Sequence, residues 1–229
     1  MRALSVLTLL FAVSLAMAAS AMPPETAWDQ RAAEEVAFKA AMDHLHRGEA
    51  AEAVDSFRHL AVNGHSAAQI NLAILYTRGE GVPSDRLAAT RWAWRARLMG
   101  DRRAASLSDA LLEALPARSR NVVADRLRED LEALAAAGAF QAFLALGRLE
   151  AEVRTPPRLD DAGVWLMLAA AFEVSQARRM RDRLIAGVTD ARRLSMEARA
   201  GEAFTVWCDR LTSPARPVTC PAPAMATDG

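Results

Sequence analysis

The chain has 229 residues, with 28 Lys or Arg set against 28 Asp or Glu, so it carries no net charge while its four histidines are neutral. That balance excludes the one-signed field of a protein built to hold nucleic acid or an anionic membrane. Abundant alanine, few β-branched runs and glycines placed mainly at turn-like positions predict an all-α chain.

Residues 1–21, MRALSVLTLLFAVSLAMAASA, have one arginine, an uncharged apolar run and a small-x-small ending at Ala19-Ser20-Ala21. This is the pattern of a secretory signal peptide, with cleavage expected between Ala21 and Met22. The alternative is a retained membrane anchor, because the uncharged run is nearly long enough to span. Beyond it no further membrane span is predicted.

Residues 22–65 predict a helix pair. The first helix runs from about Trp28 to His46 and ends at Gly48. The second covers Glu49 to Val62, with Ala53, Phe57, Leu60 and Ala61 turned inward and Gly64 closing it.

Next, Ala68, Leu72, Leu75 and Tyr76 fall at i, i+4, i+7 and i+8, one apolar stripe of a helix. Gly79-Glu80-Gly81-Val82-Pro83 then breaks the chain, since glycine admits positive φ and proline stops a helix. Ser84 or Asp85 is placed to cap a second helix with the stripe Leu87, Ala88, Trp92, Ala96 and Met99, ending at Gly100. These residues resemble a Sel-one-like repeat, a branch of the tetratricopeptide-like α/α solenoids. The match rests on Ala68, Gln69, Asn71, Leu72 and Tyr76, on the turn Gly79 to Pro83, and on Trp92, Ala96 and Gly100. Arg97 and Ala73 depart from the pattern, at positions where the family carries a small residue and a glycine. The resemblance implies a short right-handed superhelix of helix hairpins and a role in holding other molecules.

Two more helical patterns, at 101–115 and 119–137, are split by Pro116. The chain then repeats itself. Trp92, Ala96, Ala104, Asp109 and Leu111 return 73 positions later as Trp165, Ala169, Ala177, Asp182 and Leu184. Ala68, Leu72 and Leu75 return 74 positions later as Ala142, Leu146 and Leu149, with Gly147 now the family's glycine. Residues 66–137 and 138–211 therefore read as two copies of a four-helix unit stacked on one continuous core. The second turn, residues 153–157, lacks the glycines of the first. Residues 212–229 form a proline-rich tail without periodicity. Cys208 and Cys220 are expected to form a disulfide tying that tail to the last helix.

The four histidines, His44, His46, His59 and His65, lie close together in sequence beside several acids. No His-x3-His or Cys/His spacing is present, so no metal is expected. Glu80 reads as a turn residue, and Asp109 and Asp182 read as structural because they recur. No nucleophile elbow, phosphate loop or dinucleotide fingerprint is found, so no catalytic or cofactor-binding residue is assigned. Trp92 and Trp165 are expected in the core. Trp94 faces another side of its helix; with Arg91 and Arg95 it would form an aromatic–cationic patch for a partner, unless it packs against the next helix pair.

The expectation is a periplasmic or secreted interaction module without cofactor. Its partner would be another exported protein or a peptide, with cell-wall glycan as a second class. A cell-envelope enzyme and a self-assembling repeat protein are the alternatives.

Overall fold

The computed structural model describes residues 25–211 and 219–220, with side chains from residue 29 onward. The expected leader with its Ala21–Met22 junction lies outside the described residues, as does the tail apart from residues 219 and 220. Among the described residues the chain is all-helical, without strands. The helices are α1 (Glu25–His46), α2 (Ala50–Val62), α3 (Ser66–Arg78), α4 (Arg86–Leu98), α5 (Ala105–Glu113), α6 (Ala117–Ala136), α7 (Gln141–Arg148), α8 (Leu159–Ala171), α9 (Ala177–Ile185) and α10 (Asp190–Arg210). A 3₁₀ turn, Arg102–Ala104, precedes α5, and a π-helical turn, Leu149–Val153, prolongs α7. No helix among the described residues is long and apolar enough to cross a membrane.

Local chemistry sets most boundaries. Asp85, rather than Ser84, caps α4: its carboxylate accepts from the backbone N–H groups of Leu87 and Ala88 at 2.9 and 3.0 Å. Ser84 instead donates to the Thr77 carbonyl. The His65 ring caps α3 by accepting from Ala68 N–H at 3.2 Å, and Thr189 caps α10. The helix expected at 101–115 is shortened, because Asp101 caps the 3₁₀ turn and α5 begins only at Ala105. In turn α6 starts directly after Pro116, two residues earlier than expected, because proline needs no N–H partner at a helix entrance.

Packing is organised by two helices. α4 lies against α3, α5 and α6, and α8 lies against α7, α9 and α10. Both are thirteen residues long and stand 73 positions apart at either end. α1 packs on α2 and α2 on α3, in front of the first group.

The single continuous core expected from the sequence resolves into two clusters that meet at α4. Trp92 and Ala93 join Phe57, Leu60 and Leu72. Trp94 and Leu98 join Leu127, Phe143, Leu146 and Trp207. At 100° per residue, Trp92 and Trp94 point about 200° apart, so one helix feeds both clusters. α4 is consequently buried on nearly every side, including its polar residues Thr90 and Arg95.

The first hairpin turn is fixed by close approach. Gly79 closes α3 through its N–H to the Leu75 carbonyl at 2.8 Å. Gly81 has φ +69°, and a Cβ there would lie 2.2 Å from the Ala50 carbonyl oxygen at the start of α2. The substitution Gly81→Ala combines a left-handed backbone with a collision against backbone atoms that cannot rotate away. It is expected to cost about 2–4 kcal/mol, read as a lower urea midpoint at unchanged slope.

The second turn lacks these glycines and is held from outside instead. Asn121 on α6 donates its side-chain amide to the Thr155 carbonyl at 2.7 Å and accepts from Thr155 N–H at 3.1 Å. Arg154 donates to Asp125 at 2.6 Å. The fully buried Glu150 accepts from Arg128 and lies 3.4 Å from Arg154 Nε. α7 and α8 meet closely at Gly147, where a Cβ would fall 2.8 Å from Leu166 Cγ.

Cys208 and Cys220 form a disulfide with Cα atoms 5.5 Å apart. The bond ties residue 220 to the end of α10 and is compatible with an oxidising compartment.

Candidate functional site

Of the two fates open to Trp94 beside Arg91 and Arg95, an exposed patch or packing against the next helix pair, the geometry is that of packing. Trp94 is only 1% exposed, and its indole N–H donates to the Ser108 carbonyl at 2.9 Å. Arg97 lies over its ring at 4.4 Å. Arg95 is 5% exposed and donates to the Val62 carbonyl at 3.0 Å, bridging α4 to α2. Burial lowers its guanidinium from the ordinary arginine range, with Asp130 acting in the opposite sense. Arg91 makes a bidentate pair with Asp130 of α6, at 2.8 and 2.6 Å. Both arginines lie over Trp92, at 5.3 and 5.5 Å from its ring centre. These residues brace helices, Trp94 and Arg95 from within and Arg91 with 28% of its side chain exposed.

The other residues of the first hairpin pattern and its later counterparts serve the packing. Ala68, Leu72, Ala96 and Ala169 are fully buried. Tyr76 is half-buried and its hydroxyl accepts from Arg58. Gly100, at φ +108°, is exposed beyond α4. Gln69 is buried and donates to the Ala61 carbonyl at 2.9 Å, tying α3 to the end of α2 beside the Gly64 N–H that shares the same acceptor. Pro83 lies on the rim of a 650 Å³ hollow between the first hairpin turn and the α5–α6 junction, with Tyr76, Val82, Leu87 and Leu115.

The candidate chemical groups are scattered among stabilising contacts. His65 stacks on Phe38 at 4.8 Å while capping α3. His44 contacts Glu49 at 2.7 Å, and His46 and His59 are exposed. Among the described residues no group of three or more His, Cys, Asp or Glu could hold a metal ion. Asp109 pairs with Arg97, whereas Asp182 pairs with its neighbour Arg181. The recurring acids therefore do not make recurring contacts. The position 73 after Arg97 is Ala170, so the second acid has no equivalent partner.

Two carboxyls are strongly depressed. Arg47, then His44, hold Glu49 down to about 2, and Arg103, then Ser66, hold Asp101 down to about 2. Folded-state values below the unfolded ones stabilise the fold above the ordinary carboxylate range. That contribution is lost as pH falls from about 4.5 towards 2. Acid titration followed by circular dichroism should show this loss, and Glu49→Gln with Asp101→Asn should flatten it.

The site that the fold does build lies between α6, α8 and α10. Val164, Trp165, Ala203, Val206 and Trp207 line a cavity of about 410 Å³, with Glu132, Arg199, Glu202 and Arg210 around it. Trp165 is half-buried, not a full core residue as expected, and Val206 is 49% exposed. Trp207 meets Trp165 edge-on at 6.3 Å and carries Arg210 over its ring at 5.4 Å. Arg199 donates to Asp161 at 2.6 Å. Cys208 follows Trp207, and its disulfide partner packs on the same core. None of the α10 residues belongs to a motif. The sequence signal for them is the i, i+3, i+4 spacing of Ala203, Val206 and Trp207.

No protein-family model matches the chain, and no curated protein matches it.

Proposed function

We propose that the chain is an exported helical-repeat protein that docks a partner protein or peptide in the groove between α6, α8 and α10. In this reading it is a divergent Sel-one-like protein, a short right-handed superhelix in which α3–α6 and α7–α10 are two copies of one unit. Support for the duplication comes from the matched lengths of α4 and α8 and from the same three-neighbour packing around each. The disulfide supports export to the periplasm or beyond.

The observation that carries the docking reading is the groove itself, where a half-buried tryptophan and an exposed valine lie within a polar rim. Aromatic anchors surrounded by charged residues are the usual composition of an interface centre and its edge. His65, Asp109 and Asp182, by contrast, are engaged in a helix cap and in ion pairs.

The test is photocrosslinking in the native host from a probe at Val206, with a control probe at the exposed Val36 of α1. A protein crosslinked from Val206, absent from the Val36 control and lost in Trp165→Ala supports docking. Crosslinks only to glycan strands, or only to further copies of the chain, would overturn it in favour of a wall-binding or a self-assembling role.

A further inference from the structure

Charge that balances over the whole chain does not balance along it. α9 carries Arg178, Arg179, Arg181 and Arg183 against the single carboxylate of Asp182. Its apolar residues Ala177, Met180 and Leu184 pack on the core. At 100° per residue the four arginines spread over about 200° of the opposite side of the helix. Arg178, Arg179 and Arg183 are exposed, and α9 packs chiefly on α8.

The packing does not ask for these cations. α5 is also nine residues long and lies on a thirteen-residue helix, α4, as α9 lies on α8. Seventy-three positions before the four arginines stand Ala105, Ser106, Ser108 and Ala110. Nor are the guanidiniums spent inside the molecule, as Arg91 is on Asp130 of α6. Among the described residues the one ion pair of α9 joins Arg181 to its neighbour Asp182, and Arg183 donates to the Arg179 carbonyl at 3.3 Å. Arg178 and Arg179 also border a hollow of about 260 Å³, whose lining includes one carboxylate, Glu173.

We propose that α9 is a docking surface for an acidic segment of a partner protein, whose run of Asp or Glu pairs with Arg178, Arg179 and Arg183. Three exposed guanidiniums without a carboxylate of their own select an anion, and each can hold a carboxylate through two parallel hydrogen bonds. An anionic lipid surface fits less well. A helix lying on lipid also inserts apolar side chains, and those of α9 are turned to the core. Single-stranded nucleic acid would use aromatic rings for stacking, and α9 has none. The surface is separate from the groove between α6, α8 and α10, because no α9 arginine lines that cavity.

The test is fluorescence anisotropy of the purified protein with dye-labelled hexaglutamate, and with hexaglutamine as its neutral counterpart. Hexaglutamate should bind saturably and hexaglutamine should not. Raising the salt from about 0.05 to about 0.3 M should weaken binding about tenfold. Writing the α5 residues into α9, as Arg178→Ala, Arg179→Ser, Arg181→Ser and Arg183→Ala, should weaken it by about tenfold or more. A control with the same change in net charge removes four exposed arginines outside α9, as Arg86→Ala, Arg118→Ala, Arg126→Ala and Arg158→Ala. It should stay within about twofold of the wild type, because salt screens distant charges. Arg178→Gln with Arg179→Gln, on exposed side chains, keeps the test decisive if the α5-like variant does not fold. No saturable binding, equal weakening in the control, or undiminished binding in a folded α9 variant would overturn the proposal. So would an α9 that holds phosphatidylglycerol vesicles or a single-stranded oligonucleotide in place of the peptide. None of these results bears on partner crosslinks from Val206, so the groove reading stands or falls by its own test.

Discussion

Replacing Trp94 with alanine should lower the unfolding free energy by about 3–5 kcal/mol, measured by urea denaturation. An exposed patch residue would change it by less than about 0.5 kcal/mol. The large value follows from three losses at one position. The indole is 1% exposed and lies in the cluster that runs from α4 to α10, so its removal opens a cavity facing Leu98, Leu127 and their neighbours. The Ser108 carbonyl loses its donor at 2.9 Å. Arg97 loses the ring beneath it at 4.4 Å. Trp94→Phe separates these contributions, because it keeps most of the volume and removes only the donor. It should cost about 1–2 kcal/mol. If Trp94→Ala unfolds at the wild-type midpoint, the packing of α4 against α5 described above is wrong.

Glu150→Leu is the second large effect, expected at about 3–5 kcal/mol. Glu150 is fully buried: its side chain has no solvent-accessible surface, Arg128 donates to it, and Arg154 Nε stands 3.4 Å away. Removing the carboxylate leaves the Arg154 guanidinium, itself 4% exposed, with Asp125 alone as its counter-charge. The diagnostic measurement is the double variant Glu150→Leu with Arg154→Met. A buried pair replaced on both sides by apolar groups loses its desolvation penalty as well as its attraction. The double variant should therefore be more stable than Glu150→Leu alone, a coupling that a double-mutant cycle reads directly. Additive losses would mean that the two side chains stabilise the turn independently.

This clasp also shows what can be read along the chain and what cannot. Gly79, Gly81 and Pro83 mark the first hairpin turn because their backbone requirements are local. The structure adds that Gly81 must also clear the Ala50 carbonyl. The second turn has no such residues. Its support comes from Asn121, Asp125 and Arg128, one to two turns apart on α6 and about thirty positions away in sequence. No short-range pattern connects them to it.

The tryptophans carry the same lesson into the candidate site. The two-residue spacing of Trp92 and Trp94 states that they face opposite sides of α4, and that is correct. It does not state that both sides are interior, which depends on α2 and α3 covering one face and α5 to α10 the other. Trp165, 73 positions after Trp92, lies against Phe143 and Trp207 instead of under arginines, and Val164 and Ala203 cannot bridge α8 to α10 as Arg91 and Asp130 bridge α4 to α6.

By itself the sequence determined the helical class, the cap at Thr189, the choice of α4 cap to within Ser84 or Asp85, the cysteine pairing and the 73-residue spacing of the matched residues, since each depends on local backbone chemistry or on counting. Only the tertiary structure decided which faces of α4 and α8 are covered. Burial is a property of the neighbours that arrive, and those neighbours are set by helix packing across distant parts of the chain.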